Sequence, residues 1–345
     1  MPTPPARPSK AGRPSSINDV ARLAGVSPQT VSRVSRGSSK VRPDTRAKVE
    51  NAMRQLGYVP NRAARALRSG SYHTIGVLTQ QVERTGEART LSGVLSAARD
   101  RGFAVTVTQV AHPEAEEVHS AVTDLVRQPV EGLVIVQSGR ATAEHLALPP
   151  SLAVASSDSA LVGYYPSASA DQVHGVHEAV DHLLDLGHRT VHHVTGPADA
   201  PSAVLRRSAW RARLEQRGRA VPEPVIGGWA AQDGYRAGQD LAARPDVTAV
   251  LCANDEVAVG LIRAMHEHSR DVPREVSVVG FDDLPLGEFL APALTTVRID
   301  FHRAGTTMVD LIAEQIEGGV ADGMRRLTIP TELIVRASTA PPAHG

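Results

Sequence analysis

Gln29 and Arg33 lie four residues apart in the run PQTVSRVS (28–35), and each carries paired hydrogen-bonding groups. At that spacing on a helix they share one face. A guanidinium can bond O6 and N7 of guanine together, and a carboxamide can bond N6 and N7 of adenine. The pair therefore has the chemistry to read base edges in a major groove. Ser16, Ser27, Thr30 and Ser32 surround it with short hydroxyls. Such groups, with helix N-terminal amides, hold phosphates and set a register. Catalytic groupings are harder to find. HRTVHH (188–193) clusters His188, His192 and His193, but in a strand pattern with no carboxylate or cysteine set, which argues against a metal. No Walker A loop, dinucleotide fingerprint after a strand or nucleophile elbow occurs. The expectation is no enzyme, no metal and no cofactor.

The elements that must position Gln29 and Arg33 are short helices. Ser16 and Asp19 form a capping-box pattern with a carboxylate at N3. The helix they open, Ile17 to Ala24, puts Val20, Leu23 and Ala24 on one face, and Gly25 supplies a tight reversal. Ser27 caps a second helix with Pro28 at its first position, where a missing N–H is harmless. That helix points Val31 and Val34 inward and Gln29, Thr30, Ser32, Arg33 and Arg36 outward. A third starts near Pro43, keeps Val49, Ala52, Met53 and Leu56 on one stripe, and stops at Gly57. The result is a helix-turn-helix, though an αα-hairpin also serves as a plain packing element.

Charge separates these readings. Residues 1–70 hold 14 Lys/Arg and 3 Asp/Glu, net +11, whereas the whole chain of 345 residues is neutral. The remaining 275 residues therefore carry −11. A basic fifth on an acidic remainder presents one end to a polyanion, the plain alternative being a solvated basic tail. Past Pro60-Asn61, residues Arg62 to Arg68 form a helical pattern too short to be stable alone, as expected of a segment that folds on a partner surface.

From Thr74 onward, apolar strand-like runs alternate with amphipathic helical stretches. The strand runs are 75–78, 103–110, 132–136, 152–156, 190–196, 249–253 and 276–282. This alternation predicts parallel α/β layers in two similar lobes, with a ligand crevice where strand C-termini open. A single cysteine, Cys252, fits a reducing cytoplasm, and no run is long enough for a membrane span. The expected domains are a disordered basic tail (1–14), a helix-turn-helix domain (15–61), a hinge helix or linker (62–71), a ligand-binding core (72–340) and a short tail (341–345). Within the core, the N-terminal lobe is expected over about 72–170 and 302–330, and the C-terminal lobe over about 171–298 and 331–340.

The run SINDVARLAGVSPQTVSRVSRG followed by VRPDTRAKVENAMRQLGYVPNRAARALRSG closely resembles the N-terminal module of the LacI/GalR repressor family. The resemblance continues through LGHRTVHHVTGP (186–197), LRRSAW (205–210), CANDEVAVG (252–260), VSVVGFDDLPL (276–286) and LTTVRIDF (294–301). It implies an α/β protein with an all-α helix-turn-helix head and a two-lobed, periplasmic-binding-protein-like core of parallel sheets flanked by helices. It also implies a transcriptional repressor that binds double-stranded DNA with a palindromic operator, as a cytoplasmic homodimer, under control of a small-molecule effector such as a sugar. Positions 28, 29 and 33 are specificity positions in that family. Pro28 cannot donate a hydrogen bond, so reading rests on Gln29 and Arg33. Asn61 and Arg62 would lie near phosphates, Ala64 would allow close approach in the minor groove, and Leu67 would wedge between base pairs. Arg206, Asn254 and Asp282 would be the polar effector contacts, with Trp229 as a stacking face. Plainer roles stay open: Asn254 and Asp282 as caps, Arg206 as a surface arginine with Arg207 in its place, and Trp229 as packing. Ile299 stands where many sugar-responsive members carry glutamine, and the loop QQVERTGEART after the first strand is unusually charged. A sugar, a sugar phosphate or a nucleoside would each be compatible. A solute-binding transport protein would share the core, but the basic head and the missing apolar leader argue against one.

Overall fold

A computed structural model describes residues 15–35, 38, 40–58, 72–110, 114–318 and 325–343. Asn61, Arg62, Ala64 and Leu67 lie outside the described residues, as do Arg36 and the tail before Ser15. The chain divides into two compact units, 1–72 and 73–345.

In the first unit, α1 (Ile17–Ala24), α2 (Pro28–Ser35) and α3 (Pro43–Gln55) close around Val20, Val31 and Val49, all fully buried. The Ser16 hydroxyl accepts the Asp19 N–H while Asp19 Oδ2 accepts the Ser16 N–H at 2.9 Å, a complete capping box. Gly25 ends α1 in the left-handed region at φ 65°, a conformation in which a Cβ would be strained. Leu23, expected inward, is instead 49% exposed, and Ala21 takes the buried place beside Val20. Eight residues make barely two turns, so the apolar stripe is one residue narrower than its periodicity suggests. Ser15 ties the start of the unit to its end through a 2.7 Å bond to the Leu56 carbonyl.

The second unit holds two six-stranded sheets. The first comprises β1 (Thr74–Thr79), β2 (Ala104–Gln109), β3 (Gly132–Ile135), β4 (Ala153–Ser156), β5 (Ser167–Ala170) and β11 (Arg326–Ile329). Its order is β11-β5-β4-β3-β1-β2 and every pair is parallel. The second comprises β6 (His192–Thr195), β7 (Val225–Ile226), β8 (Ala249–Cys252), β9 (Ser277–Asp282), β10 (Thr295–Ile299) and β12 (Thr331–Ile334). Its order, β12-β10-β9-β8-β6-β7, repeats the first, with β12 alone antiparallel. Strands β3, β4, β6, β8 and β9 are buried along their whole length, which is why they read as apolar runs rather than as alternations.

Helices cover both sheets. Around the first lie α4 (Thr85–Asp100), α5 (Ala115–Arg127), α6 (Ala143–Leu146) and α11 (Phe301–Gly318). Around the second lie α7 (Gln172–Asp185), α8 (Pro201–Gln216), α9 (Ala231–Ala242) and α10 (Asp255–Glu267). Two helix pairs cross backbone to backbone. A Cβ on Gly93 of α4 would sit 2.1 Å from the His302 carbonyl of α11, and one on Gly260 of α10 would sit 1.8 Å from the Ala231 carbonyl of α9. These crossings fix the helix N-termini that reach the cleft. The chain passes between the sheets three times, at Asp171, Asp300 and Pro330. Asp171 and Asp300 each cap the helix that follows, accepting the N–H of His174 and Arg303.

The seven strand runs expected from sequence are β1–β4, β6, β8 and β9. The stretch QQVERTGEART corrects an expectation: only its first residues form a loop, and α4 begins at Thr85. Glu87 explains the early start. Its Oε2 accepts the N–H groups of Gln80 and Gln81, both at 2.9 Å, and so folds the turn onto the helix entrance.

Candidate functional site

Burial of Val31 and Val34 leaves Gln29 and Arg33 on the free face of α2, both exposed, with Thr30 and Ser32 half-buried at its flanks. Ser27 Oγ accepts the Thr30 N–H at 3.2 Å and shares a 3.0 Å hydrogen bond with the Thr30 hydroxyl. Ser16 is likewise occupied in its capping box. These hydroxyls have their first partners inside the fold. Gln29 and Arg33 reach outward from the first and second turns of α2.

In the core, the C-terminal strand ends of both sheets meet at a pocket of about 900 Å³ of empty space, counting its open mouth. Arg206, Trp229, Asn254 and Asp282 all line it. A smaller chamber adjoins it, sharing Arg84, Gln137, Ser202 and Trp229 as walls.

Arg206 comes from the middle of α8 and is buried, whereas its neighbour Arg207 is half-buried and absent from the lining. Its Nε donates to Gln172 Oε1 at 2.7 Å, its Nη1 to the Ala253 carbonyl and its Nη2 to Asp282 Oδ1 at 3.3 Å. The guanidinium also lies 3.9 Å from the centre of the Phe281 ring. Burial pulls the Arg206 pKa down and pushes that of Asp282 up. For both partners it outweighs their mutual attraction. A pair so placed contributes little stability but holds two directional groups at a cleft.

Asp282 and Asp283 end β9 with φ of 102° and 53°, strained for residues with a side chain. What fixes them is a set of bonds from several elements. Arg89 of α4 donates to both backbone carbonyls across the cleft, at 3.3 and 3.1 Å. Asp283 is bonded by Arg298 and Arg336, each at 2.7 Å. Burial would raise its pKa, but these two guanidiniums hold it below the usual carboxylate range. Asp283 is a brace, and Asp282 is the one that faces the pocket.

Asn254 does two jobs. Its Oδ1 caps α10 through the Val257 N–H at 2.9 Å, and its Nδ2 donates to the Trp229 carbonyl at 3.0 Å while the residue lines the pocket. Trp229 is half-buried, its ring against Gly196, where a Cβ would lie 2.7 Å from the indole. Both Arg84 and Arg206 stand 5.9 Å from its ring centre. Behind the wall, the fully buried Asp255 accepts from the Leu284 N–H at 2.6 Å and from the Thr296 hydroxyl, and burial pushes its pKa up to about 8. Two histidines of HRTVHH are bonded within the fold. His188 bridges the Thr248 and Ser277 hydroxyls, and His193 bonds the Leu251 carbonyl, its pKa pushed down to about 4 by burial. Among the described residues no group of three or more His, Cys, Asp or Glu is placed to hold a metal, and no helix is long and apolar enough to cross a membrane.

Sequence reasoning missed Arg84 at the N-cap of α4, Thr85 and Glu87 in its first turn and Glu256 on α10, all of which line the pocket. The available signal was the charge of QQVERTGEART directly after a buried strand, where a cleft-facing helix start is usual in α/β folds.

Comparison with known proteins covers both units. Residues 16–61 match the family described as bacterial regulatory proteins, lacI family, and residues 180–339 match the periplasmic binding protein-like domain. The chain is 33% identical over 339 residues to the lactose operon repressor of Escherichia coli K12, covering 96% of this chain and 92% of that protein. A lac repressor dimer solved with operator and the anti-inducer ONPF is similar with a TM-score of 0.84 at 32% identity, covering 95% and 100% of the two chains. A complex of the transcriptional regulator CelR with cellobiose gives 0.70 at 28% identity, covering 94% and 99%. With a helix-turn-helix head and a two-lobed core in one chain, and with likeness of this extent to a repressor, the protein belongs to the LacI family of bacterial transcriptional regulators.

Proposed function

We propose that the protein is a cytoplasmic repressor that binds a palindromic operator as a homodimer and responds to a sugar bound between its lobes. The observation that carries this reading is the pocket. Its walls come from both lobes, so a ligand that fills it bears on how the lobes are held, and operator binding is linked to that arrangement. Gln29 and Arg33 read bases, while Ser16, Ser27, Thr30 and Ser32 position the head with help from Asn61 and Arg62. Ala64 and Leu67 act in the minor groove. Arg206, Asn254 and Asp282 bond hydroxyls of the effector, and Trp229 packs against its C–H face. The dimer is supported by Leu286 and Phe289, 73% and 77% exposed on one 3-10 turn, an apolar pair of a kind a partner subunit covers.

The test is selection of bound duplexes from a random library with the full chain, with and without lactose or cellobiose. The expected product is a two-fold symmetric site whose affinity changes several-fold to about a hundredfold with an effective sugar. Arg33→Ala should relax one base pair per half-site, by about 1–3 kcal/mol per contact. An unchanged preferred sequence for that variant refutes the base-reading assignment, and an asymmetric single half-site refutes the dimer.

A further inference from the structure

Glu87 is 6% exposed, and its two carboxylate oxygens are used unequally. Oε2 takes the Thr79 hydroxyl and the Gln80 and Gln81 N–H groups. Oε1 is buried and receives no hydrogen bond. The nearest cation to note is Arg84, whose Nη1 stands 4.0 Å away, beyond hydrogen-bonding distance. Across the cleft Glu256 repeats the arrangement. Its Oε1 accepts from the Thr85 hydroxyl at 2.7 Å, and its Oε2 is buried without a partner. Both residues line the one pocket, one from each lobe, and each keeps a buried carboxylate oxygen without a partner at its wall.

A buried acceptor left without a donor is unfavourable, and native structures complete such atoms with water or a ligand. A carboxylate oxygen only accepts, so the completing group must donate. Beside Glu87 it must also suit Arg84, which only donates. A hydroxyl meets both requirements, because at about 2.8 Å from each it donates to Glu87 and accepts from Arg84 across the 4.0 Å gap. A phosphate or carboxylate oxygen satisfies Arg84 but meets Glu87 as like charge. Arg206 gives an anion little extra attraction, because its charge already faces Asp282, while the two N–H groups it has left still suit a hydroxyl.

We propose that Glu87 and Glu256 read uncharged hydroxyl groups, one on each lobe, and exclude the phosphorylated or carboxylated form of the same ligand. This rests on the sugar reading above and narrows it to a neutral carbohydrate. The test is calorimetric titration of the full chain with glucose, galactose, ribose, lactose and cellobiose, each beside its phosphate ester and its sugar acid. A neutral sugar should bind at least about tenfold more tightly than its charged counterparts. Glu87→Gln keeps an oxygen for the turn and puts an amide donor on the free side. It should weaken the neutral sugar by about tenfold and narrow or reverse the gap to the anion. Glu256→Gln gives the same readout from the other lobe if the first variant does not fold.

Charged forms binding as tightly as their neutral parents would overturn the proposal while leaving a sugar-derivative effector standing. Equal loss for neutral and charged ligands in Glu87→Gln would also overturn it, because that is what a merely structural role produces. A panel with no binder at all would remove the sugar reading and this inference together.

Discussion

Replacing Arg206 by alanine takes a guanidinium away from Asp282 Oδ1, 3.3 Å distant, and leaves that carboxyl only 7% exposed. At an effective dielectric of about 20 the lost attraction is about 5 kcal/mol, and broken buried pairs generally cost about 3–5 kcal/mol. Asp282 need not stay charged, however, since burial already pushes its pKa up with Arg206 present. Without Arg206 it is pushed further. A carboxyl whose folded pKa lies above its unfolded value contributes stability that is complete below the unfolded pKa, near 4, and is lost as pH rises towards the folded one. The penalty of Arg206→Ala should therefore be smaller near pH 5 than near pH 8, rising towards about 3–5 kcal/mol as Asp282 ionises, on top of a pH-independent cost from the lost bonds to Gln172 and Ala253. Urea unfolding followed by tryptophan fluorescence suits the measurement, because Trp210 is buried against α8's own sheet and Trp229 lies in the pocket wall. Arg206→Met with Asp282→Asn, which buries no charge, should recover much of the loss. A penalty that does not change between pH 5 and pH 8, or two single losses that simply add in the double variant, would refute this account of the pair.

Asp255→Asn should flatten a related slope. The native carboxyl, with a pKa near 8, makes stability fall as pH rises from about 4 to 8, whereas the amide can accept from Leu284 and donate to the Thr296 hydroxyl at every pH; parallel melting curves of both proteins at pH 5 and pH 8 would count against it. Phe289→Glu should shift sedimentation towards monomer, and an unchanged dimer would place the interface elsewhere. Gly260→Ala must force α9 and α10 apart and should cost about 3 kcal/mol or more, against little change for Gly318→Ala, whose Cβ meets nothing within 4 Å; thermal melting separates the two.

Most of the architecture was legible because its signals are local. Capping residues and glycine mark the ends of α1 and α2, and strands buried on both faces stand out as apolar runs. What escaped is small, polar or at an edge. β5 reads SASA and the interior β10 reads TTVRI, neither an apolar run, β7 has two residues, and β11 and β12 lie at the sheet edges. In the pocket, Arg206, Trp229, Asn254 and Asp282 were reached through family resemblance and not through any pattern of their own. Arg84, Glu87 and Glu256 escaped because a charged first turn is the ordinary look of a solvated helix start. Only the fold turns that end of α4 into a cleft and strips the carboxylates of water.

The three passages of chain at Asp171, Asp300 and Pro330 also bear on how the core is made. Neither lobe is a continuous stretch. The first sheet lacks its edge strand, and its covering helix α11, until synthesis has passed residue 329, and the second lacks β12 until residue 334. A nascent chain emerging from the ribosome therefore carries two incomplete lobes side by side for most of its elongation. Closure of both waits on the same final segment, so the two binding walls mature together and late. Chaperone engagement should be greatest in that interval, when the apolar faces awaiting α11 are uncovered.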